Sequence, residues 1–188
     1  MRVTTIACNL KEIAGDTRVT WEGIGTDAFS GIKIFPAKNG AIYGVTGENC
    51  AGSIRAIEWL QGDRLPEYKP QPPEYEHDWS WRLIELSADG IALYNEYLER
   101  ERTFDPILAV GSGRKVAIYC MRYLHMTPAE AVHEACKVDH WSQAPVFTAS
   151  LAEPEVVRWK PAPKKRAPLV LRTKKQVVHV LPATGAEG

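Results

Sequence analysis

Alternating hydrophobic and polar positions divide most of the chain into short strands joined by turns. Runs of period two that are rich in Val, Ile and Thr are typical of half-buried strands. Two turn signals separate neighbouring runs: Asn39-Gly40, which adopts positive φ readily, and Asp89-Gly90. The predicted strands are residues 2–10, 13–20, 32–35, 41–47, 81–86, 91–94, 106–110 and 145–150.

Three other segments have helical periodicity. Apolar residues at helical spacing share one face of the first segment. The third begins with the Thr-Pro-x-Glu pattern of a capping box with proline in the first turn. The predicted helices are residues 48–61, 115–124 and 127–138. The glycine-containing residues 21–30 are expected to form a loop, and the Pro-rich residues 63–80 a surface excursion.

The order of these elements predicts an α+β fold, because paired strands and helices occur in separate runs. Two antiparallel sheets packed face to face, with helices outside each, would bury every apolar face. This arrangement is a four-layer αββα sandwich. A length of 188 residues with 45% hydrophobic content allows one domain with a substantial core. We place this domain at residues 4–152 and a basic, Pro-rich extension at residues 153–188.

Charge is balanced over the whole chain but unevenly distributed. Lys+Arg and Asp+Glu both number 23, which argues against a dedicated nucleic-acid binder. From Pro154 onward eight residues are basic and two are acidic, so this part is net +6 and the rest is net −6. We expect this basic extension to be partly extended or disordered.

The cysteines and the absence of targeting signals point to the cytoplasm. The four cysteines lie in apolar segments without CxxC spacing, which is typical of free thiols in a reducing compartment. The sequence has no apolar run long enough to span a bilayer and no recognisable signal peptide. We expect a protein that binds neither membrane nor nucleic acid.

Six separated motifs resemble, in the same order, those of the proteasome β-subunit group of N-terminal nucleophile hydrolases. Bacterial proteasome homologues such as HslV are the most similar members. The resemblance covers residues 4 to about 150, and its strength comes from the collinear order of the motifs. The motifs are Thr4-Thr5-Ile6, residues 13–18 with Asp16, Lys33, Val45-Thr46-Gly47, residues 107–113 with Ser112, and residues 139–142 with Asp139 and Ser142.

The resemblance implies an αββα fold and a threonine peptidase whose nucleophile is the hydroxyl of Thr4. Met1 to Val3 would be a short propeptide, and their removal would free the Thr4 amino group to act as the base. An α-amino group suits neutral pH, with a reference pKa of about 7.7–8.0. Lys33 would stabilise the alkoxide and lower the pKa of the amine, while Asp16 would hold Lys33 in place.

The remaining implied site residues shape the oxyanion hole, the surroundings of the amine and the substrate pocket. The backbone N–H of Gly47 would donate to the oxyanion. A supporting group would orient the amine, and a substrate pocket would tolerate apolar side chains. The supporting residues are Ser112, Asp139 and Ser142, and the pocket residues are Thr20 and Val45. The sequence departs from the family at Val3, where glycine is usual, and at Glu48, where small residues are common.

The family also implies an assembly and partners. Identical subunits would form two stacked rings of 12 or 14 subunits in total, and the C-terminal extension favours 14. Polypeptides would be the substrate, and an AAA+ unfoldase ring a possible partner. No cofactor or metal is expected. His133, Cys136, Asp139 and His140 have helical spacing, but a helix face near a core is the commoner explanation.

Alternative interpretations of the sequence remain open. An unprocessed, non-catalytic ring could act as a binding or scaffold assembly, and an amidase of the same superfamily could act on a small molecule. Without Thr4, Asp16 and Lys33 would be interpreted as a surface ion pair worth roughly 0–1 kcal/mol. Ser112 within Gly-Ser-Gly would equally suit a turn.

Overall fold

The computed structural model describes residues 4–19, 29–47, 50–62, 81–95 and 97–162. The helices are α1 Cys50–Leu60, α2 Arg114–Tyr123 and α3 Pro128–Val138. The strands are β1 Thr5–Asn9, β2 Glu12–Gly15, β3 Arg18–Val19, β4 Phe29–Ser30, β5 Ile34–Pro36, β6 Ile42–Gly47, β7 Trp81–Ser87, β8 Gly90–Tyr94, β9 Arg100–Arg102, β10 Ile107–Gly111, β11 Phe147–Ser150 and β12 Val157–Arg158.

Two five-stranded antiparallel sheets form the centre of the described structure. The first has the strand order β10-β1-β2-β11-β12 and the second β5-β6-β7-β8-β9, while β3 and β4 form a small separate ladder. Helices α2 and α3 pack on the first sheet, and α1 packs on the second. The predicted α+β sandwich with helices outside two antiparallel sheets is confirmed.

Three apolar clusters fill the spaces between these layers, and alternation along each strand decides which cluster a residue joins. On β1, Ile6 and Cys8 face the second sheet, whereas Ala7 faces the helices. The helix-facing cluster is rich in alanine, which lets α2 and α3 approach the first sheet closely. Tyr43 and Ile57 belong to the third cluster, between α1 and the second sheet.

Local signals in the sequence set several boundaries of these elements. Gly40 and Gly90 have positive φ in their turns, and Gly62 has positive φ just after α1. Thr127 is the N-cap of α3, and Glu130 completes the capping box by accepting from the Thr127 backbone.

Within residues 4–152, three parts of the strand assignment were wrong. The predicted strand 13–20 is two strands, because the Asp16 carboxylate accepts the backbone N–H groups of Thr5 and Gln143 and interrupts the ladder. Phe29–Ser30, predicted as loop, pairs with β3. The short strand β9 was not predicted, because all three of its residues are exposed and carry no apolar alternation.

The first sheet continues beyond residue 152, where the sequence placed the end of the domain. Val157 pairs with Thr148, and the Trp159 backbone N–H donates to Val146. The predictions for residues 1–3, 20–28, 48–49, 63–80 and 163–188 lie outside the described residues. No helix within the described ranges is long and apolar enough to cross a membrane.

Candidate active site

A lysine ammonium at one end of the sandwich bonds both a threonine hydroxyl and an aspartate. Lys33, just before β5, donates from Nζ to Thr4 Oγ1 and to Asp16 Oδ1, the latter at 2.9 Å. Thr4 and Asp16 are each 1% exposed and Lys33 is 8% exposed. These groups meet because Thr4 precedes β1, Asp16 follows β2, and β5 packs against that end of the first sheet.

The Asp16 carboxylate receives four N–H donors, two at each oxygen. Oδ1 accepts from the Thr5 backbone at 2.9 Å as well as from Lys33. Oδ2 accepts from the backbones of Arg18 at 3.0 Å and Gln143 at 3.1 Å. Because all four of these contacts are with donors, the carboxylate acts as a fixed negative charge that orients the lysine ammonium.

A second cluster, formed by Ser112, Asp139 and Ser142, lies on the other side of Thr4. Ser112 Oγ lies 2.6 Å and Ser142 Oγ 2.5 Å from Asp139 Oδ2, and both hydroxyls donate to it. The backbone N–H of Ser112 donates to the Thr4 carbonyl oxygen at 2.8 Å, and Ser112 Oγ lies 3.2 Å from the same oxygen. The cluster therefore holds the main chain of Thr4 while Lys33 holds its side chain.

Gly111 allows the close approach between β1 and the turn that carries Ser112. Its φ is +94°, and a Cβ at this position would lie 1.9 Å from the Thr4 carbonyl oxygen. A side chain at position 111 would therefore occupy the space that Thr4 now fills.

Solved structures of two proteins, an HslV and a BPH, share this fold. Eukaryotic HslV from Trypanosoma brucei matches with a TM-score of 0.59 and 20% identity, over 83% of this chain and 100% of that chain. BPH from Thiobacillus denitrificans matches with a TM-score of 0.54 and 19% identity, over 86% of this chain and 100% of that chain. A complex of that BPH with epoxomicin matches with the same TM-score and coverage at 16% identity. The chain has the HslV and proteasome β-type fold.

No protein-family model matches the chain, and no curated protein sequence matches it. At identities of 20% or less, the likeness to HslV establishes the fold alone. The chemistry of the site therefore depends on the residues of this chain.

The HslV-type fold brings together six of the nine residues singled out in the sequence. Around Thr4 lie Lys33 and Asp16 on one side and the Ser112 cluster on the other. Gly47 ends β6 with φ +119°, and Val45 lies beside Lys33, to whose carbonyl its N–H donates at 2.9 Å. Val45 is buried in the cluster beneath α1, and Thr20 lies outside the described residues.

Thr5 is a site residue to which the sequence analysis gave no role. Its hydroxyl accepts from the Gly113 backbone N–H at 3.0 Å and lies 2.6 Å from Ser142 Oγ. The sequence carries a signal for this position, because the alternation of β1 places Thr5 on the same helix-facing side as Ala7. A polar residue at a buried strand position requires a polar partner.

Cys136 on α3 carries a partly buried thiol within electrostatic reach of both acidic groups of the site, Asp16 and Asp139. Burial, together with the smaller effects of the Asp16 and Asp139 charges, raises its pKa to about 12, while Lys33 opposes the rise. Cys136 is thus held as a neutral thiol and is a poor nucleophile. Cys8, Cys120 and Cys136 are free. Within the described ranges, no three His, Cys, Asp or Glu side chains are grouped to hold a metal ion.

Proposed function

We propose that this chain is a threonine-type endopeptidase subunit with Thr4 as its nucleophile, after autocatalytic removal of Met1 to Val3. The observation that carries the proposal is the buried contact between Lys33 Nζ and Thr4 Oγ1, with Asp16 on the same ammonium. A cation fixed beside a hydroxyl in a dry site favours the alkoxide that forms as the proton leaves.

Processing at the Val3–Thr4 bond would create the base. Thr4 Oγ1 attacks the carbonyl carbon of Val3, and the acyl group moves from nitrogen to oxygen. Water then hydrolyses this ester, which releases residues 1–3 as an acid and leaves a free amine on Thr4. The positive charge of Lys33 lowers the pKa of that amine, so that a usable fraction is unprotonated near neutral pH.

Peptide cleavage then follows the same attack on a substrate. The Thr4 amine takes the hydroxyl proton as Oγ1 bonds to the carbonyl carbon, and the oxyanion accepts from the Gly47 backbone N–H. The protonated Thr4 amine then gives this proton to the leaving amine of the substrate. Water hydrolyses the remaining ester and frees Thr4 Oγ1. Removing one oxyanion donor typically costs about 10²–10³ in rate.

Assembly and substrate belong to the same proposal. The resemblance to HslV supports self-association. Within this proposal the chain forms a cytoplasmic homo-oligomer of two stacked rings with 12 or 14 subunits, and the C-terminal extension favours 14. Its substrates would be polypeptides, which an AAA+ unfoldase ring could deliver. Val45, beside Lys33, would contact the residue that precedes the cut bond together with Thr20, and its aliphatic side chain favours apolar residues there.

The test is the intact mass of the purified chain, alongside peptide hydrolysis and covalent labelling by a hydroxyl-directed inhibitor. The wild-type chain should lose Met1 to Val3, whereas Thr4→Ala should stay full length, inactive and unlabelled. Lys33→Ala should lower the rate by at least about 10²-fold. Lys11→Ala removes an exposed lysine in the turn between β1 and β2, away from the site, so it is the control variant and should behave as wild type.

Size in solution separates this proposal from its alternatives. A large particle that cleaves peptides supports the ring peptidase. A large particle that keeps its full length and does not react at Thr4 would instead be a non-catalytic assembly. A monomer or dimer that hydrolyses only small amides would be an amidase. Peptidase activity that survives Thr4→Ala refutes the mechanism.

A further inference from the structure

We propose that Thr5, the residue after the proposed nucleophile, is a positioning residue that joins the two halves of the site. This inference rests on the proposed function and deepens it. One half is the pair formed by Lys33 and Asp16, and the other is the serine–aspartate cluster around Asp139. Thr5 bonds both halves, and the residue is 0% exposed.

Every polar group of Thr5 has a partner in the site. Its backbone N–H donates to Asp16 Oδ1 at 2.9 Å, and its carbonyl accepts from the Asp16 backbone at 3.1 Å. Its hydroxyl oxygen accepts from the Gly113 N–H at 3.0 Å and lies 2.6 Å from Ser142 Oγ. Because Thr4 is covalently joined to Thr5, fixing Thr5 at four points fixes where Thr4 can lie.

The order of donors in this network follows from the proton inventory. Asp139 offers a carboxylate oxygen 2.5 Å from Ser142 Oγ, so Ser142 uses its one hydroxyl proton there. The bond between Thr5 and Ser142 must then carry the proton of Thr5. The chain of donors runs from Gly113 N–H to Thr5, from Thr5 to Ser142, and from Ser142 to Asp139.

The consequence for Thr4 comes through the Gly111–Gly113 turn. Gly113 directly follows Ser112, whose backbone N–H donates to the Thr4 carbonyl. Without the Thr5 hydroxyl, the buried Gly113 N–H loses its acceptor and Ser142 loses its donor. The turn and the Asp139 cluster then lose one of the contacts that place them against Thr4. Threonine suits this position because its branched side chain is stiff about χ1.

The test compares Thr5→Val, which keeps the shape and removes the hydroxyl, with Thr5→Ser, which keeps the hydroxyl. Thr5→Val should lower kcat for peptide hydrolysis by about 10- to 100-fold, as expected for misplacement of a reacting group by up to about 1 Å. KM should change by less than about twofold, because the lost contacts do not bind substrate. Thr5→Ser should recover kcat to within about threefold of wild type.

Thr148→Val is the matched control. It removes a hydroxyl from the same sheet, where Thr148 donates at 2.7 Å to Glu12, outside the site. It should leave kcat unchanged. Wild-type kcat in Thr5→Val, or no recovery in Thr5→Ser, overturns the inference while leaving the proposed function intact. A wild-type chain that neither cleaves peptides nor reacts at Thr4 overturns both.

Neutron diffraction from a deuterated wild-type crystal tests the donor order without any variant or activity. The deuteron between Thr5 and Ser142 should be bonded to Thr5 Oγ1. A deuteron bonded to Ser142 Oγ would contradict the network, even if Thr5→Val fails to fold.

Discussion

Replacing Gly111 by alanine should push the two segments that form the site apart. The new Cβ would lie 1.9 Å from the Thr4 carbonyl oxygen and 2.7 Å from its carbon. Real Cβ atoms essentially never come within 3.0 Å of such neighbours, so the two segments must separate by about 1.1 Å (3.0 − 1.9). Both obstructing atoms belong to the backbone, which cannot rotate away.

Two costs add in Gly111→Ala, and a control separates them. Positive φ costs an L-residue roughly 1–2 kcal/mol, and overpacking typically costs about 1–3 kcal/mol more. Gly90 has φ +111° with no atom within 4 Å of where a Cβ would lie, so Gly90→Ala should show the first cost alone. A displacement near 1 Å should also lower kcat by about 10²-fold in Gly111→Ala.

Chemical denaturation of both variants, together with peptide hydrolysis, measures these effects. Gly111→Ala should unfold at a clearly lower denaturant concentration than Gly90→Ala, with the same dependence of free energy on denaturant. Equal unfolding free energies for the two variants, with wild-type kcat in both, would refute the reasoning about Thr4.

Three further predictions concern thiols, a buried tyrosine and a helix cap. Burial raises the pKa of Cys8 and of Cys136 to about 12, so at pH 8 only about one thiol in 10⁴ is ionised. Iodoacetamide should therefore modify these two residues only after denaturation, which mass spectrometry of the treated protein would show. Burial and the 2.7 Å hydrogen bond to Glu85 raise the pKa of the Tyr94 hydroxyl. As pH rises above about 10, the hydroxyl therefore loses its proton first in the unfolded state, and the free energy of unfolding falls. Tyr94→Phe should cost about 1–3 kcal/mol at pH 7 and show a shallower fall above about pH 10 in denaturation titrations. Thr127→Ala removes the N-cap of α3 and should cost about 1 kcal/mol, whereas an unchanged melting temperature would contradict the role of the cap.

Much of the fold follows from local signals in the sequence. Period-two alternation predicted the long central strands, and Asn39-Gly40 and Asp89-Gly90 predicted the turns that join β5 to β6 and β7 to β8. The capping box at Thr127 predicted the start of α3. These features depend on residues within a few positions of one another, so no knowledge of tertiary structure is needed to see them.

The elements that escaped prediction depend on distant partners. The break between β2 and β3 exists because Asp16 bonds Thr5 and Gln143, which are 11 and 127 residues away. The short strand β9 is held at the edge of the second sheet partly by the 2.9 Å ion pair between Arg100 and Glu85. A pattern of hydrophobic positions carries no record of either contact.

The candidate site also has a part that the sequence predicted and a part that only the structure revealed. The order of the motifs selected Thr4, Asp16, Lys33, Ser112, Asp139 and Ser142, and the structure brings these six side chains together. Their catalytic role stays a prediction. Alternation could have placed Thr5 on the buried, helix-facing side of β1, but only the geometry shows which groups its hydroxyl bonds.

The donors around Asp16 have a consequence for how this site can vary. Three of the four are main-chain amides, those of Thr5, Arg18 and Gln143, and only Lys33 contributes a side chain. A peptide amide is the same whichever residue bears it, proline excepted. Most hydrogen bonds to this carboxylate therefore depend on the path of the backbone and not on side chains. Sequences that differ widely at positions 18 and 143 could all retain them.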